Sequence, residues 1–136
     1  MEDINSVIER FNRSDRFSKN SGIRLVHLED GMAKAVLDAR EEHCNYMGSV
    51  HGGVLSTLAD ITAGMCITYY GNTCVTLNSN IHYVHPAFPG RLTATAVQRS
   101  LTRHTGLCDV SIRDENDVLI CTATLTMYIT SKPVEL

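Results

Sequence analysis

At 136 residues the chain suits one domain, and its 43% apolar and 20% charged residues describe a folded globule rather than a disordered tail. The net charge of -3 and the scattered placement of the twelve lysines and arginines argue against a nucleic-acid binder and against a polybasic membrane anchor. A core of this size leaves little for a separate substrate domain, so a deep ligand site is expected between subunits.

Residues 3–11 place Ile4, Val7, Ile8 and Phe11 at helical spacing on an otherwise polar segment, which predicts a short amphipathic helix. Residues 12–21 are polar and turn-rich, and read as a linker. Strand-like runs follow at 22–28 and 32–38, joined by the hairpin turn Glu29, Asp30, Gly31. Residues 40–50 read as a loop punctuated by Asn45 and Gly48. From 50 to 70 the apolar residues recur at three- and four-residue steps. The other side is also small or apolar, which predicts one long helix buried nearly all round. Gly71 and Asn72 supply its stop signal.

The second half alternates like strands at about 73–84, 91–101, 104–113 and 118–130. Pro86 and the Pro89-Gly90 pair break the first two, and Asp114 to Asp117 turn the last two. Residues 1–136 therefore read as a single α+β domain. Residues 1–21 are a helix and linker, and 22–130 are a long antiparallel sheet around one central helix.

Five cysteines, Cys44, Cys66, Cys74, Cys108 and Cys121, are an odd number with no Cys-x-x-Cys pair, as expected of a reduced, cytoplasmic chain. The acidic, polar start is not a signal peptide, and no apolar run is long enough to span a bilayer.

Chemistry concentrates in residues 45–60, NYMGSVHGGVLSTLAD. His51, Gly52 and Gly53 open the long helix. Two glycines there leave the first backbone N–H groups uncovered, where the helix dipole favours negative charge such as a developing oxyanion. A tight turn that needs glycine is the plainer reading. Asp60 lies mid-helix between Ala59 and Ile61. A buried carboxylate needs a partner or a shifted pKa, so Asp60 is either a catalytic group or one half of a structural hydrogen bond. His51 and Asp60 are nine residues apart, about 13–14 Å along a helix. The helix start and Asp60 of one chain cannot reach the same carbonyl. If both are catalytic, two chains share the site, and a two-fold dimer follows.

The motif formed by Asn45, Gly48, His51-Gly52-Gly53, Leu58 and Asp60 resembles the signature of hotdog-fold thioesterases of the PaaI type. Thr76, the run 80–86 (NIHYVHP) and Gly90 extend the likeness, which covers about residues 22–129. The resemblance implies a hotdog fold, with an antiparallel sheet wrapped around a central helix, assembled as a homodimer or homotetramer. It implies an acyl-CoA thioesterase with Asp60 as nucleophile or general base and the Gly52 N–H as donor to the thioester oxygen. Asn45 and His51 would orient substrate or hold the site together, and Thr76 would stand near the attacking water. Asn45 capping a turn, His51 bonded to backbone and Thr76 as an ordinary strand residue are the plainer alternatives. Gly53, Arg103 and His104 are the candidates for contacting CoA, with Arg91 and Arg99 as further cations. CoA is part of the substrate, and no cofactor is expected.

His82 and His85 lack the company of other ligands, so no metal site is expected. Ser56 lacks the G-x-S-x-G setting of a serine hydrolase. Tyr69, Tyr70, Tyr83 and Phe88 are candidate pocket walls. A hotdog hydratase or dehydratase, which resembles a His-plus-acid pattern not found here, and a non-catalytic acyl-CoA-binding protein are the competing readings.

Overall fold

The structure, a computed structural model, describes residues 3–135. The chain runs α1 (Ile4–Ser14), α2 (Arg16–Ser21), β1 (Ile23–Glu29), β2 (Met32–Ala39), α3 (Gly52–Thr68), β3 (Asn72–Tyr83), β4 (Gly90–Leu101), β5 (Thr105–Asp114) and β6 (Leu119–Pro133). The six strands form one antiparallel sheet in the order β1-β2-β4-β5-β6-β3, and it wraps α3. This is the hotdog arrangement expected from the sequence. No helix among the described residues is long and apolar enough to cross a membrane.

The segment 12–21, expected to be a linker, is largely helical. Asp15 makes this possible by serving two helices. Its backbone N–H closes α1 on the Phe11 carbonyl, and its carboxylate accepts from the N–H and hydroxyl of Ser18 in α2. Gly22, at φ 81°, ends α2 in the left-handed cap that favours glycine. Asn12 fastens α1 to the sheet, donating from Nδ2 to the Leu25 carbonyl and accepting the Leu25 N–H, both at 2.8 Å. These bonds meet β1 beside a break in its pairing register, where the strand's own ladder is interrupted.

The central helix is not covered all round. Leu55, Leu58, Ala59, Thr62, Ala63, Met65, Cys66 and Ile67 are buried against the sheet. Gly53, Ser56, Thr57, Asp60, Ile61, Gly64 and Thr68, at three- and four-residue steps, form a half-open stripe on the other side. Asp60 lies on this stripe. The expectation of a helix buried nearly all round fails because the residues opposite the core, Ile61 apart, are small or polar, and the described residues leave them half-covered.

The last strand in the order, β3, pairs only with β6 and leaves its other edge open. Val75, Leu77, Tyr83 and Val84 are exposed on or just beyond it. A long edge strand with unpaired backbone groups and apolar side chains is a template for another chain.

Candidate active site

The loop into α3 is built before the helix starts. Asn45 Oδ1 accepts from the N–H of Met47 at 2.9 Å and of Ser49 at 3.3 Å, and its Nδ2 donates to Ser49 Oγ. This is the turn-capping role for Asn45. His43, which the sequence reading passed over, holds the loop from beneath. Its buried ring accepts the Arg40 N–H at Nδ1 and meets the Ser21 carbonyl at Nε2, and its own carbonyl accepts the His51 N–H. A lone histidine after two glutamates carries no sequence signal for such a bracket. Val50 is tied to the Ala87 carbonyl.

His51 caps α3. Its Nδ1 accepts the Gly53 N–H at 3.0 Å, and its carbonyl accepts the N–H groups of Val54 and Leu55. The Gly53 N–H is therefore occupied, and Gly53 has no amide left for a ligand. Among the described residues the Gly52 N–H has no partner. It is the one first-turn donor left open, at the positive end of the helix dipole. Because Nδ1 accepts, the neutral His51 ring carries its proton on Nε2. Tyr83 stands over this end of α3, and a Cβ placed at Gly52 would lie 3.5 Å from its ring.

Two turns along, Thr76 of β3 donates its hydroxyl proton to Asp60 Oδ1 at 2.5 Å. The structure thus brings Thr76 and Asp60 together. A β-bulge follows at once, because Thr76 pairs with Met127 and Asn78 with Thr126, leaving Leu77 as the extra residue. The bulge reverses which side of β3 faces the helix. Thr76 reaches Asp60 and Tyr83 reaches Gly52, although one is even-numbered and the other odd. Asn78, Asn80 and His82 are sent to the outer groove with Thr122 and Thr124.

Asp60 opens into a cleft of about 360 Å³ whose walls include Ile61, Gly64, Met65, Cys74, Thr76 and Met127. Burial pushes the Cys74 thiol above its ordinary pKa, and the protonated thiol donates to the Gly64 carbonyl at 3.4 Å. It therefore presents a small apolar surface, not a nucleophile. Gly52 and Asp60 are eight residues apart on one straight helix, about 12 Å, and the chain does not bring them to a common point.

The other candidates lie elsewhere. Tyr70 does not line the Asp60 cleft. Its hydroxyl is engaged by Asp30 and Gln98, and burial together with the Asp30 carboxylate pushes its pKa up to about 12. Tyr69 packs edge-on against Tyr70. Arg91 is held by Asp38 and Arg99 by Asp109. Arg103, in the exposed turn between β4 and β5, makes no ion pair among the described residues, and neighbouring His104 stacks on Tyr128 at 6.1 Å.

Comparison with known proteins places the family and the fold. Residues 47–121 match the family described as the thioesterase superfamily. The chain is 31% identical to the acyl-coenzyme A thioesterase PaaI of Escherichia coli over 100 residues, 73% of this chain and 71% of that protein. The solved structure of E. coli PaaI, at 24% identity, shares the fold with a TM-score of 0.89 over 93% of each chain. A hypothetical thioesterase from Streptococcus pneumoniae, solved with coenzyme A, is 28% identical, with a TM-score of 0.82 over 90% of this chain and 99% of that one. The wrapped central helix thus sits on a known framework, and the chain belongs to the thioesterase superfamily, among its PaaI-like hotdog thioester hydrolases.

Proposed function

We propose that the protein hydrolyses acyl-CoA thioesters to a free carboxylic acid and CoA at a site shared by two chains. The observation that carries this reading is the half-open Asp60, fixed by Thr76, on the same helix whose first amide is unpartnered. A water placed against Asp60 gives up its proton to the carboxylate as its oxygen attacks the thioester carbon. The carbonyl oxygen takes the negative charge and is stabilised by a Gly52 N–H. Collapse breaks the C–S bond, and the proton goes to the departing thiolate.

The Gly52 N–H comes from the second chain, since about 12 Å of helix separates the two groups within one. The half-open stripe of α3 and the free edge of β3 flank Asp60, and they are the surfaces a two-fold partner would cover. A homodimer is the minimum assembly, and pairing of dimers into a homotetramer is compatible with it. Binding of CoA is supported by the S. pneumoniae relative solved with that ligand. Arg103 and His104 are offered as contacts for its phosphates, since Arg103 makes no ion pair among the described residues while Arg91 and Arg99 are each held by an aspartate. Asn45 and His51 hold the loop and helix start in position.

Free-thiol release from aryl-, short-, medium- and long-chain acyl-CoAs by wild type and Asp60→Asn tests this. Turnover that falls by orders of magnitude in Asp60→Asn is the expected result. Undiminished turnover in that variant, or none in wild type, overturns it.

A further inference from the structure

We propose that the space beside Gly64 is the passage for the acyl chain of the substrate, and that the size of residue 64 sets the longest chain the site accepts. This rests on the thioesterase reading above and adds a substrate class to it: thioesters of medium-length alkyl acids.

Gly64 lies one helical turn beyond Asp60 on the same half-open stripe of α3. Three reasons can place a glycine inside a helix, and two are absent here. Its backbone does not require glycine, because Gly64 is not among the residues with positive φ. Close packing within the chain does not require it either, because a Cβ built at Gly64 would meet nothing within 4 Å outside its own helix. Gly106 shows the contrast, since a Cβ there would press on Ile67 at 2.5 Å. Glycine is also a poorer helix former than alanine, so the chain gives up helix stability at residue 64 without a packing return from its own side chains. What remains is open space, and it belongs to the cleft that starts at Asp60.

The walls of that cleft suit an alkyl chain. Ile61, Met65, Val75 and Met127 are apolar, Cys74 has turned its S–H onto the Gly64 carbonyl, and Phe11 of α1 reaches the same cleft beside Asp15, whose carboxylate is engaged by Ser18. The hydroxyl of Thr76 is spent on Asp60. From Asp60 to Thr68, which also lines the cleft, is two turns or about 12 Å. A chain entering at Asp60 must pass Gly64 to use that length, whereas a short acyl group stops before it.

The test is a size series, Gly64→Ala, Gly64→Val and Gly64→Leu, assayed by thiol release on butanoyl-CoA and dodecanoyl-CoA, with far-UV circular dichroism on each variant. The readout is the ratio of kcat/KM for the long substrate to that for the short one. We expect this ratio to fall in the order Ala, Val, Leu, reaching about tenfold or more with Leu. Should the Leu variant misfold, the Ala and Val steps carry the same ordering. Parallel loss on both substrates would overturn the proposal and assign the space to contact between copies of the chain. An unchanged ratio would overturn it as well. Wild-type protein inert on both thioesters is a distinct result, and it overturns the thioesterase reading itself.

Discussion

Thr76 on the edge strand donates its hydroxyl proton to Asp60 Oδ1 on the central helix at 2.5 Å. A hydrogen bond to a charged group is worth about 1.5–3 kcal/mol, which exceeds the roughly 1 kcal/mol needed to freeze an aspartate side chain. The bond therefore fixes where the Asp60 carboxylate points. Thr76→Ala is expected to lower kcat by about tenfold to a hundredfold with a smaller change in KM. Thr76→Ser keeps the hydroxyl and should recover most of the loss. Steady-state kinetics of both variants decide it, and a wild-type kcat in Thr76→Ala would contradict the role.

Gly52 occupies the first helical position of α3, where proline is well tolerated. His51 before it is already extended, at φ -62° and ψ 138°, as a residue preceding proline must be. Gly52→Pro therefore removes the open N–H with little demand on the backbone. Its kcat should drop about a hundredfold to a thousandfold, while Gly52→Ala, which keeps the amide, should lose far less. Equal losses in the two variants would move the oxyanion donor away from this amide.

The close approach of α3 to β5 at Gly106 makes a stability prediction. A Cβ there would sit 2.5 Å from Ile67 Cδ1 and 2.8 Å from Cγ1, so Gly106→Val overpacks the core and should cost about 1–3 kcal/mol. Shortening the neighbour with Ile67→Val should relieve part of this, so the double variant is more stable than the sum of the single losses. Urea unfolding of the four proteins measures the coupling.

A pH dependence follows from Asp38 and Arg91, which face each other across β2 and β4. Arg91 grips the carboxylate from Nε at 2.8 Å and Nη2 at 3.0 Å, and this bond holds the Asp38 pKa below its ordinary 3.8. A depressed folded pKa contributes stability above pH 3.8 that is lost as pH falls through the folded value. The wild type should exceed Asp38→Asn in urea-unfolding stability at neutral pH, and the gap should close only below about pH 4. Both residues are solvent-exposed, so the gap is small and shrinks with salt. A gap constant from neutral pH to well below the folded pKa would contradict it.

The strongest periodicities were legible in the chain. The apolar recurrence along α3, the strand alternation of the second half and the glycines after His51 led to the sheet, the helix and the helix-start donor. Two features were not legible. The bulge at Leu77 reverses the facing of β3 between Thr76 and Tyr83, and no residue type announces it, because it arises from pairing with β6. Helix α2 hides in a polar run because its stability comes from Asp15 and Gly22 at its ends rather than from an apolar stripe. At the site, Asn45, His51, Gly52, Asp60 and Thr76 could be singled out, and the resemblance pointed to the Gly52 N–H as donor, but no residue type by itself shows which amide of the helix start stays open. The His51 ring takes the Gly53 N–H, and only the folded loop shows that Gly52 is left.

The shared site is the central claim, and complementation between two inactive chains tests it most directly. Asp60→Asn lacks the base and Gly52→Pro lacks the donor, so each homodimer holds two broken sites. A mixed dimer would place both defects in one site and leave the other whole. Co-expressed at equal levels with separable tags, the random pool should regain about a quarter of wild-type activity, and the isolated mixed dimer should carry it. A mixed dimer no more active than either parent would contradict a site built from two chains.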